Sequence, residues 1–349
     1  MTVVTGPRDG SAEEALIAAA RGGGETAFRT LIEPYARELH VHCYRMLGSL
    51  HDAEDAHQET LLRAWRHLGS FAARSSFRAW LYTIATNVCL TAAKRRPPPA
   101  LPDPSPHPVT PGGELIVLSP YPDTLLDEFP SDVAGPAARY DLRESVQLAF
   151  LAAIQLLPAR QRAVIILRDV LGWSAREVAE LLGSSTQSVN SALQRARVTL
   201  DRRRADGRLR LDVVAPPDAV ERSIVRRYME TWEAVDIDGL VALLREDAVM
   251  TMPPFPVLFR GRRAIADFFS TVPAGGELDQ IRLLPTRVNR QPALAGYGLD
   301  PDSGVYGAYG VMVLTLDGDA IAEITGFADP TLFPLLGLPS ELEASLPET

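Results

Sequence analysis

The sequence is poor in the residues that stabilise secreted or metal-bound folds. It has two cysteines, Cys43 and Cys89, each within a helix-like apolar pattern, so a disulfide framework is not expected. Both read as reduced core residues. No run of about 18 apolar residues offers a membrane span. The N-terminal MTVVTGPRDGSAEEAL has no basic stretch followed by an apolar one, so a secretory signal is not expected either. The expectation is a cytoplasmic protein without membrane contact. All six histidines lie at or before His107, which leaves everything beyond it without imidazole for acid-base work. His40, His42 and Cys43 share a helix, but their spacing spreads them around it, so no metal site is expected. Gly22-Gly23-Gly24 lacks the lysine and hydroxyl of a phosphate loop and reads as a turn. No cofactor is expected. Lysine is nearly absent: of 35 basic residues only Lys94 is one.

At 349 residues the chain exceeds what one hydrophobic core serves, so two or three domains are expected. Hydrophobic content of 46% with 23% charged residues is ordinary for globular protein. A net charge of −9 argues against a nucleic-acid partner until its distribution is read. Residues 158–210 hold eleven arginines against five acids, whereas residues 217–349 hold twenty acids against ten arginines. One segment suits phosphate and the other does not.

From Ser11 to Arg96 apolar residues recur at helical spacing, punctuated by Gly22-Gly23-Gly24 and Gly48-Ser49, which predicts an all-helical domain over 11–96. PPPALPDPSPHPVTPGG holds eight prolines and can neither continue a helix nor build a central strand. Residues 97–137 therefore read as a linker. Helical periodicity resumes at Arg139 and is broken at Leu157-Pro158, Leu171-Gly172 and Leu182-Gly183, which predicts a second all-helical domain over 138–210. An α+β domain is expected over 217–336, with a tail over 337–349. Val220, Ile224, Tyr228 and Trp232 mark an amphipathic helix over 218–236, and Arg262 to Phe269 suggest another. VMVLTL and AIAEITGF flank Asp317-Gly318, a strong hairpin signal.

The most informative stretch is WSAREVAELLGSSTQSVNSALQRARVTL. Ser174 followed by Glu177 is a capping box, and Val178, Ala179, Leu181 and Leu182 give a short helix with one apolar side. Gly183 ends it, and Ser185 can cap a second helix whose Val189, Ala192, Leu193 and Ala196 face inward. Thr186, Gln187, Ser188, Asn190, Ser191, Gln194, Arg195 and Arg197 are left outward. A short helix, a tight turn and a helix with a polar N-terminal face suit a major groove, the early residues reading base edges and the arginines holding phosphate. A plain helical hairpin with a solvated face is the alternative.

HDAEDAHQETLLRAWR gives a helix with two faces. Ala53, Ala56, Ala64 and Leu68 pack inward, while Asp52, Asp55, Glu59 and Leu62 line the other side at spacings of three and four. An acidic stripe with an apolar tip suits a basic partner helix, though an ordinary solvent face has the same pattern. FAARSSFRAWLYTIATNVCLTAAKRR then joins a small-residue loop to a helix with Phe77, Trp80, Tyr82 and a basic end at Lys94, Arg95 and Arg96. Aromatics among cations suit single-stranded nucleic acid, and as isolated features they also suit a core.

These motifs in this order resemble regions 2 and 4 of extracytoplasmic-function sigma factors, over residues 25–96 and 139–205. The resemblance implies that Asp52, Asp55, Gln58, Glu59 and Leu62 bind the β′ clamp helices of core RNA polymerase and that region 4 meets the β flap. It implies that the loop of Ser70 to Ser76 and the helix after it open the −10 promoter element, with Ser75, Phe77, Trp80, Asn87, Lys94 and Arg95 on the DNA. The helix from Thr186 to Arg197 is implied to read the −35 element. His57 stands where the family often has a β-branched residue, and Asn190 and Ala192 where it often has Lys or Arg, which predicts weaker phosphate contact and lower salt dependence.

Residues 218–334, with patches such as YMETWEAVDIDGLVALLREDAVMTMPPFP, resemble the SnoaL-like (NTF2-like) fold, an α+β cone that forms a C-terminal extension in an actinobacterial subgroup of these sigma factors. Tyr228, Trp232, Asp247, Met250 and Met252 are candidate lining of a small-molecule pocket there, although core packing is the simpler role for Trp232 and the methionines. The overall expectation is a multidomain sigma factor, two all-α domains plus the cone, with the cone as a built-in regulator and no enzyme activity. The alternatives are a helix-turn-helix regulator with a ligand-sensing C-terminal domain, or a small-molecule enzyme using Asp247 as base. LIVLSPYPDTLLDEF is too apolar for a free linker and is expected to pack against the third domain. Limited proteolysis of the intact chain should leave the peptide bonds between Leu115 and Phe129 uncut after bonds in the proline-rich stretch have been cleaved.

Overall fold

The computed structural model of the chain describes residues 10–73, 75–95, 118–126, 147–205 and 216–343. They form two compact units. The first holds residues 10–95 and 157–201, and the second holds 118–126, 147–156 and the C-terminal residues from 202.

In the first unit, α1 (Gly10–Arg21), α2 (Glu25–Leu47), α3 (Leu50–His67) and α4 (Phe77–Ala93) pack together. Gly48 ends α2 in the left-handed conformation at φ 76°, and the Ser49 hydroxyl accepts the Asp52 N–H to start α3. Ser76 caps α4 by accepting from the Ala79 N–H. Helix α5 (Leu148–Gln155) belongs to the second unit, and α6 (Ala159–Ile165) returns to the first. It runs into a π-helical turn, Ile166–Val170, followed by α7 (Ala175–Leu181) and α8 (Thr186–Ala205). These four helices follow the breaks read at Leu157-Pro158, Leu171-Gly172 and Leu182-Gly183. Glycine is required at two of the breaks, Gly172 and Gly183, where φ is 70° and 56°.

Buried side chains from α2, α4 and α6 join the two helical regions. The Arg162 guanidinium on α6 donates to Met46 O at 2.5 Å and to Leu157 O at 3.1 Å, and the Tyr82 and Trp173 rings lie 5.2 Å apart. Cys43 and Cys89 are fully buried, and a hydrogen bond to Cys43 together with burial pushes the Cys89 thiol up. His40, His42 and Cys43 point to three different partners: Glu54, Thr86 and Cys89. Among the described residues no helix is long and apolar enough to cross a membrane.

In the second unit, α9 (Asp218–Glu233), α10 (Ile237–Ala242) and α11 (Arg262–Phe269) pack on one face of a seven-stranded sheet. The strands are β1 (Leu244–Met252), β2 (Phe255–Arg260), β3 (Ile281–Val288), β4 (Gln291–Leu299), β5 (Tyr306–Asp317), β6 (Ala320–Phe327) and β7 (Glu341–Leu342). Their order is β2-β1-β6-β5-β4-β3, with β7 paired to β5 from the stretch read as a tail. Strand β1 runs parallel to β6 and the other pairs are antiparallel. The expected hairpin is β5–β6, with Asp317 opposite Ala320 and Gly318 at φ 62°. Trp232 fills the core beneath the sheet and donates its indole N–H to Ile281 O at 2.9 Å.

The apolar stretch read as too hydrophobic for a free linker does pack on this domain over residues 118–126. Leu118, Tyr121 and Leu126 are buried, and Pro122 bridges Val288 at the end of β3. The rest of LIVLSPYPDTLLDEF lies outside the described residues. Helix α5, LAFLAAIQ, is apolar almost all round and buries Leu148, Leu151, Ala153 and Ile154, as a helix without a polar face must.

Burial sets the pH response of the first unit. It pushes the His42 pKa down to about 3, with Arg45 and Arg78 adding to the effect, while Nε2 stays 2.9 Å from Thr86 Oγ1. Burial also pushes His57 down to about 4 and lowers His40. A histidine that is neutral when folded stabilises fully only above its unfolded pKa of 6.5, and that stability is lost as pH falls toward the folded value. For His42 the loss between pH 7 and pH 5 is about 2 kcal/mol. Thermal melts should show Tm falling with acid over this window, and the fall should be smaller in His42→Asn.

Candidate functional site

The acidic stripe lies along the outward face of α3, opposite buried Ala53, Ala56 and Ala64. Asp55 and Gln58 are exposed, and Asp52 and Glu59 are half-buried. Leu62 at the end of the stripe is 50% exposed, an apolar contact left in water beside carboxylates. Local pairs hold the stripe's side chains: Glu59 with Arg63 at 2.6 Å, Asp55 with His51 at 3.8 Å, and Gln58 donating to Glu54 at 2.8 Å.

The aromatic and basic residues of α4 separate into two groups. Phe77 is 1% exposed and packs its ring against Tyr35, Phe71 and Trp80, so its role in this structure is core. Trp80 is half-buried, while Ser75, Asn87, Lys94 and Arg95 are exposed. Trp80, Asn87 and Lys94 recur at intervals of seven, two helical turns, and so share one face of α4. An aromatic edge, an amide and a cation in one row can stack on a base, hydrogen-bond it and follow its backbone. Arg78, which the sequence reading passed over, is tied to Glu38 at 2.7 Å and lies over the Tyr82 ring at 5.0 Å. Nothing in the helical period of α4 alone points to that partner.

Helix α8 follows α7 across a tight turn at Gly183. Ser174 and Glu177 form the expected capping box at the start of α7, each side chain accepting the other's backbone N–H. The hydrogen bond from Ser174 lowers the Glu177 pKa. Ser185 accepts the Ser188 N–H at the start of α8. Val189, Ala192, Leu193 and Ala196 are buried, so Ala192, where the family often has a cation, faces inward. Thr186, Gln187, Ser188, Asn190, Gln194, Arg195 and Arg197 are exposed and Ser191 is half-buried. Arg197 is already engaged: it grips Asp169 of the π-helical turn with bonds of 2.8 and 3.1 Å, which raises its pKa further. A groove of about 160 Å³ beside this face is lined by Arg160, Gln161, Ser188 and Arg195, and adds Arg160 to the cations near the exposed face of α8.

In the C-terminal unit Tyr228, Trp232 and Met250 are buried in one core cluster, with Met252 packed against it. Burial raises the Tyr228 pKa, and its hydroxyl lies 3.7 Å from Met312 Sδ. Asp247 is not brought to them. It lies exposed on β1 beside Arg245 at 3.2 Å, where the strand's alternation turns it away from Ala248 and Met250.

Profiles for Sigma-70 region 2, Sigma-70 region 4 and a SnoaL-like domain match residues 31–97, 147–200 and 225–324. The ECF RNA polymerase sigma factor SigG of Mycobacterium tuberculosis is 44% identical over 325 residues, which cover 90% of this chain and 85% of that one. The chain belongs to the extracytoplasmic-function sigma factors. The sigma factor SigW of Bacillus subtilis is 29% identical over 185 residues, 53% of this chain and 92% of its own length. The structure of the Mycobacterium tuberculosis sigma factor SigJ shares the fold, with a TM-score of 0.58 at 22% identity, covering 87% of this chain and 96% of that chain. The sigma factor thus has two helical regions and a C-terminal SnoaL-like domain of helices and mixed sheet. Replacing the cap that starts α7 ahead of α8, Ser174→Ala, should cost about 1 kcal/mol, read as a lower denaturant midpoint.

Proposed function

We propose that this sigma factor acts in the cytoplasm by binding core RNA polymerase through the α3 stripe and region 4. The stripe meets the β′ clamp helices and region 4 meets the β flap. The loop before α4 and the Trp80, Asn87, Lys94 row hold the opened −10 element, while α8 reads the −35 element. The observation that carries this reading is that α3 and α8 each keep a continuous polar face exposed while their opposite faces are fully packed. The exposed Leu62 within the acidic row suits a basic partner helix with an apolar contact.

The C-terminal domain is proposed as a built-in regulator rather than an enzyme. Its candidate carboxylate, Asp247, is exposed beside Arg245 and so offers no desolvated base. The tight packing of region 4 on region 2 supports a restrained resting form. Elements named for positions −35 and −10 lie about 25 base pairs apart, roughly 85 Å of duplex at 3.4 Å per pair. Reading both at once requires region 4 to leave the Arg162 and Tyr82 contacts with region 2.

Purified full-length protein should co-elute with core RNA polymerase and start transcription from a promoter of the −35/−10 type. Asp55→Arg combined with Leu62→Ala should weaken core binding by about tenfold or more, with the fold intact by circular dichroism. Tight binding to duplex DNA alone, without association with core, would instead assign the chain to the helix-turn-helix repressors.

A further inference from the structure

The β3–β4 turn is built from residues that are unusual for so tight a connection. Asn289 and Arg290 both adopt positive φ, 55° and 61°, and neither is glycine. Asparagine tolerates this conformation, but arginine adopts it at a cost. The contacts the turn makes account for that cost.

On one side it holds the segment between the sigma regions. The Asn289 side chain is fully buried and its Oδ1 accepts the Tyr121 N–H at 2.7 Å, while the Asn289 N–H donates to Tyr121 O at 2.9 Å. The Arg290 N–H donates to Asp123 Oδ1 at 2.7 Å, and its guanidinium donates to Leu126 O at 2.7 Å. Arg287 on β3 adds a second cation, 3.7 Å from Asp123 Oδ2. On the other side, Gln291 Oε1 accepts the N–H of Leu148, the first residue of α5, at 2.8 Å, and Gln291 Nε2 donates to Thr315 Oγ1 at 2.8 Å. The N-cap residue of α5, Gln147, makes no capping bond with its own side chain. Gln291 therefore serves as the cap, and α5 is the helix that opens the region 4 match.

We propose that this turn is a clasp: Asn289, Arg290 and Gln291 hold the inter-region segment and the first helix of region 4 at one point, so that the two are kept or released together. The proposal deepens the regulatory reading above and rests on it for the trigger, which is uptake of the inter-region segment by core RNA polymerase. The coupling is mechanical. Loss of Tyr121 and Asp123 removes the acceptors for the Asn289 and Arg290 N–H groups, the left-handed turn loses the bonds that hold it, and the adjacent Gln291 side chain is no longer aimed at α5. Residues 118–126 cannot lie on the hairpin and in a polymerase channel at once.

Hydrogen exchange on the full-length chain tests the clasp. Asn289→Ala should raise exchange about fivefold in residues 118–126 and also in α5, which it does not touch. Gln291→Leu should do the same in the reverse direction, and Asp123→Ala, which removes the acceptor of the Arg290 N–H and alters only the held segment, should match Asn289→Ala. Protection in β5 and β6 must stay unchanged in each variant, as the control for the fold. Exchange rising only in the segment each substitution touches would overturn the proposal. Adding core RNA polymerase to the native chain should deprotect both segments together, and a stable complex in which residues 118–126 stay protected would also overturn it. Absence of any complex would overturn the reading of the chain as a polymerase subunit, and the trigger with it, while the coupling would still be decided on the free protein.

Discussion

The packing of the first unit depends on the Arg162 guanidinium. A buried cation costs several kcal/mol unless its donors are satisfied, and here they meet Met46 O and Leu157 O. Met46 sits in the last turn of α2, where carbonyls lack intrahelical partners and the helix dipole is negative. One side chain thus supplies what the end of one helix needs and fixes where the next region begins. His42, one turn before Met46, stays neutral in a site that already holds Arg45 and Arg78, and Tyr82 and Trp173 close over the junction.

The sheet of the second unit separates two kinds of chemistry. Leu314 and Leu316 of β5 point into the cluster with Tyr228 and Trp232, and Thr315 between them points to the opposite face. The cluster under α9 is apolar and buried. The opposite face carries buried amides and hydroxyls, Asn289, Gln291 and Thr315, each committed to a partner. Buried polar groups specify one arrangement because any other leaves them unpaired. The contacts this face makes with residues 118–126 and α5 are hydrogen bonds of fixed geometry.

Legibility in the sequence followed the local signals. Ser174 with Glu177, Gly183, and the inward set Val189, Ala192, Leu193 and Ala196 gave the helix-turn-helix, because caps and helical period are encoded within a few residues. Asp317-Gly318 gave the β5–β6 hairpin for the same reason. Strands β1 to β4 were not legible. The β3–β4 turn uses Asn-Arg where the usual signal is Asn-Gly, and β4 is buried through QPALAGY, so it shows no alternation. Side-chain partners were the least legible part of the site. Phe77 and Trp80 have the same composition signal, and only tertiary packing makes one core and leaves the other half-exposed. The Arg197 and Asp169 pair spans 28 residues, and the clasp spans more than 140. Periodicity carries no information at that range.

The pair Cys43 and Cys89 has a practical consequence. Both thiols are sealed in the bundle, and Cys89 is held in its protonated, unreactive form. The native chain therefore offers almost no background to maleimide chemistry while folded. One cysteine placed on α8 and one on the C-terminal sheet would be the reactive thiols of the molecule, and a dye on each could follow the distance between the units without removing either native residue.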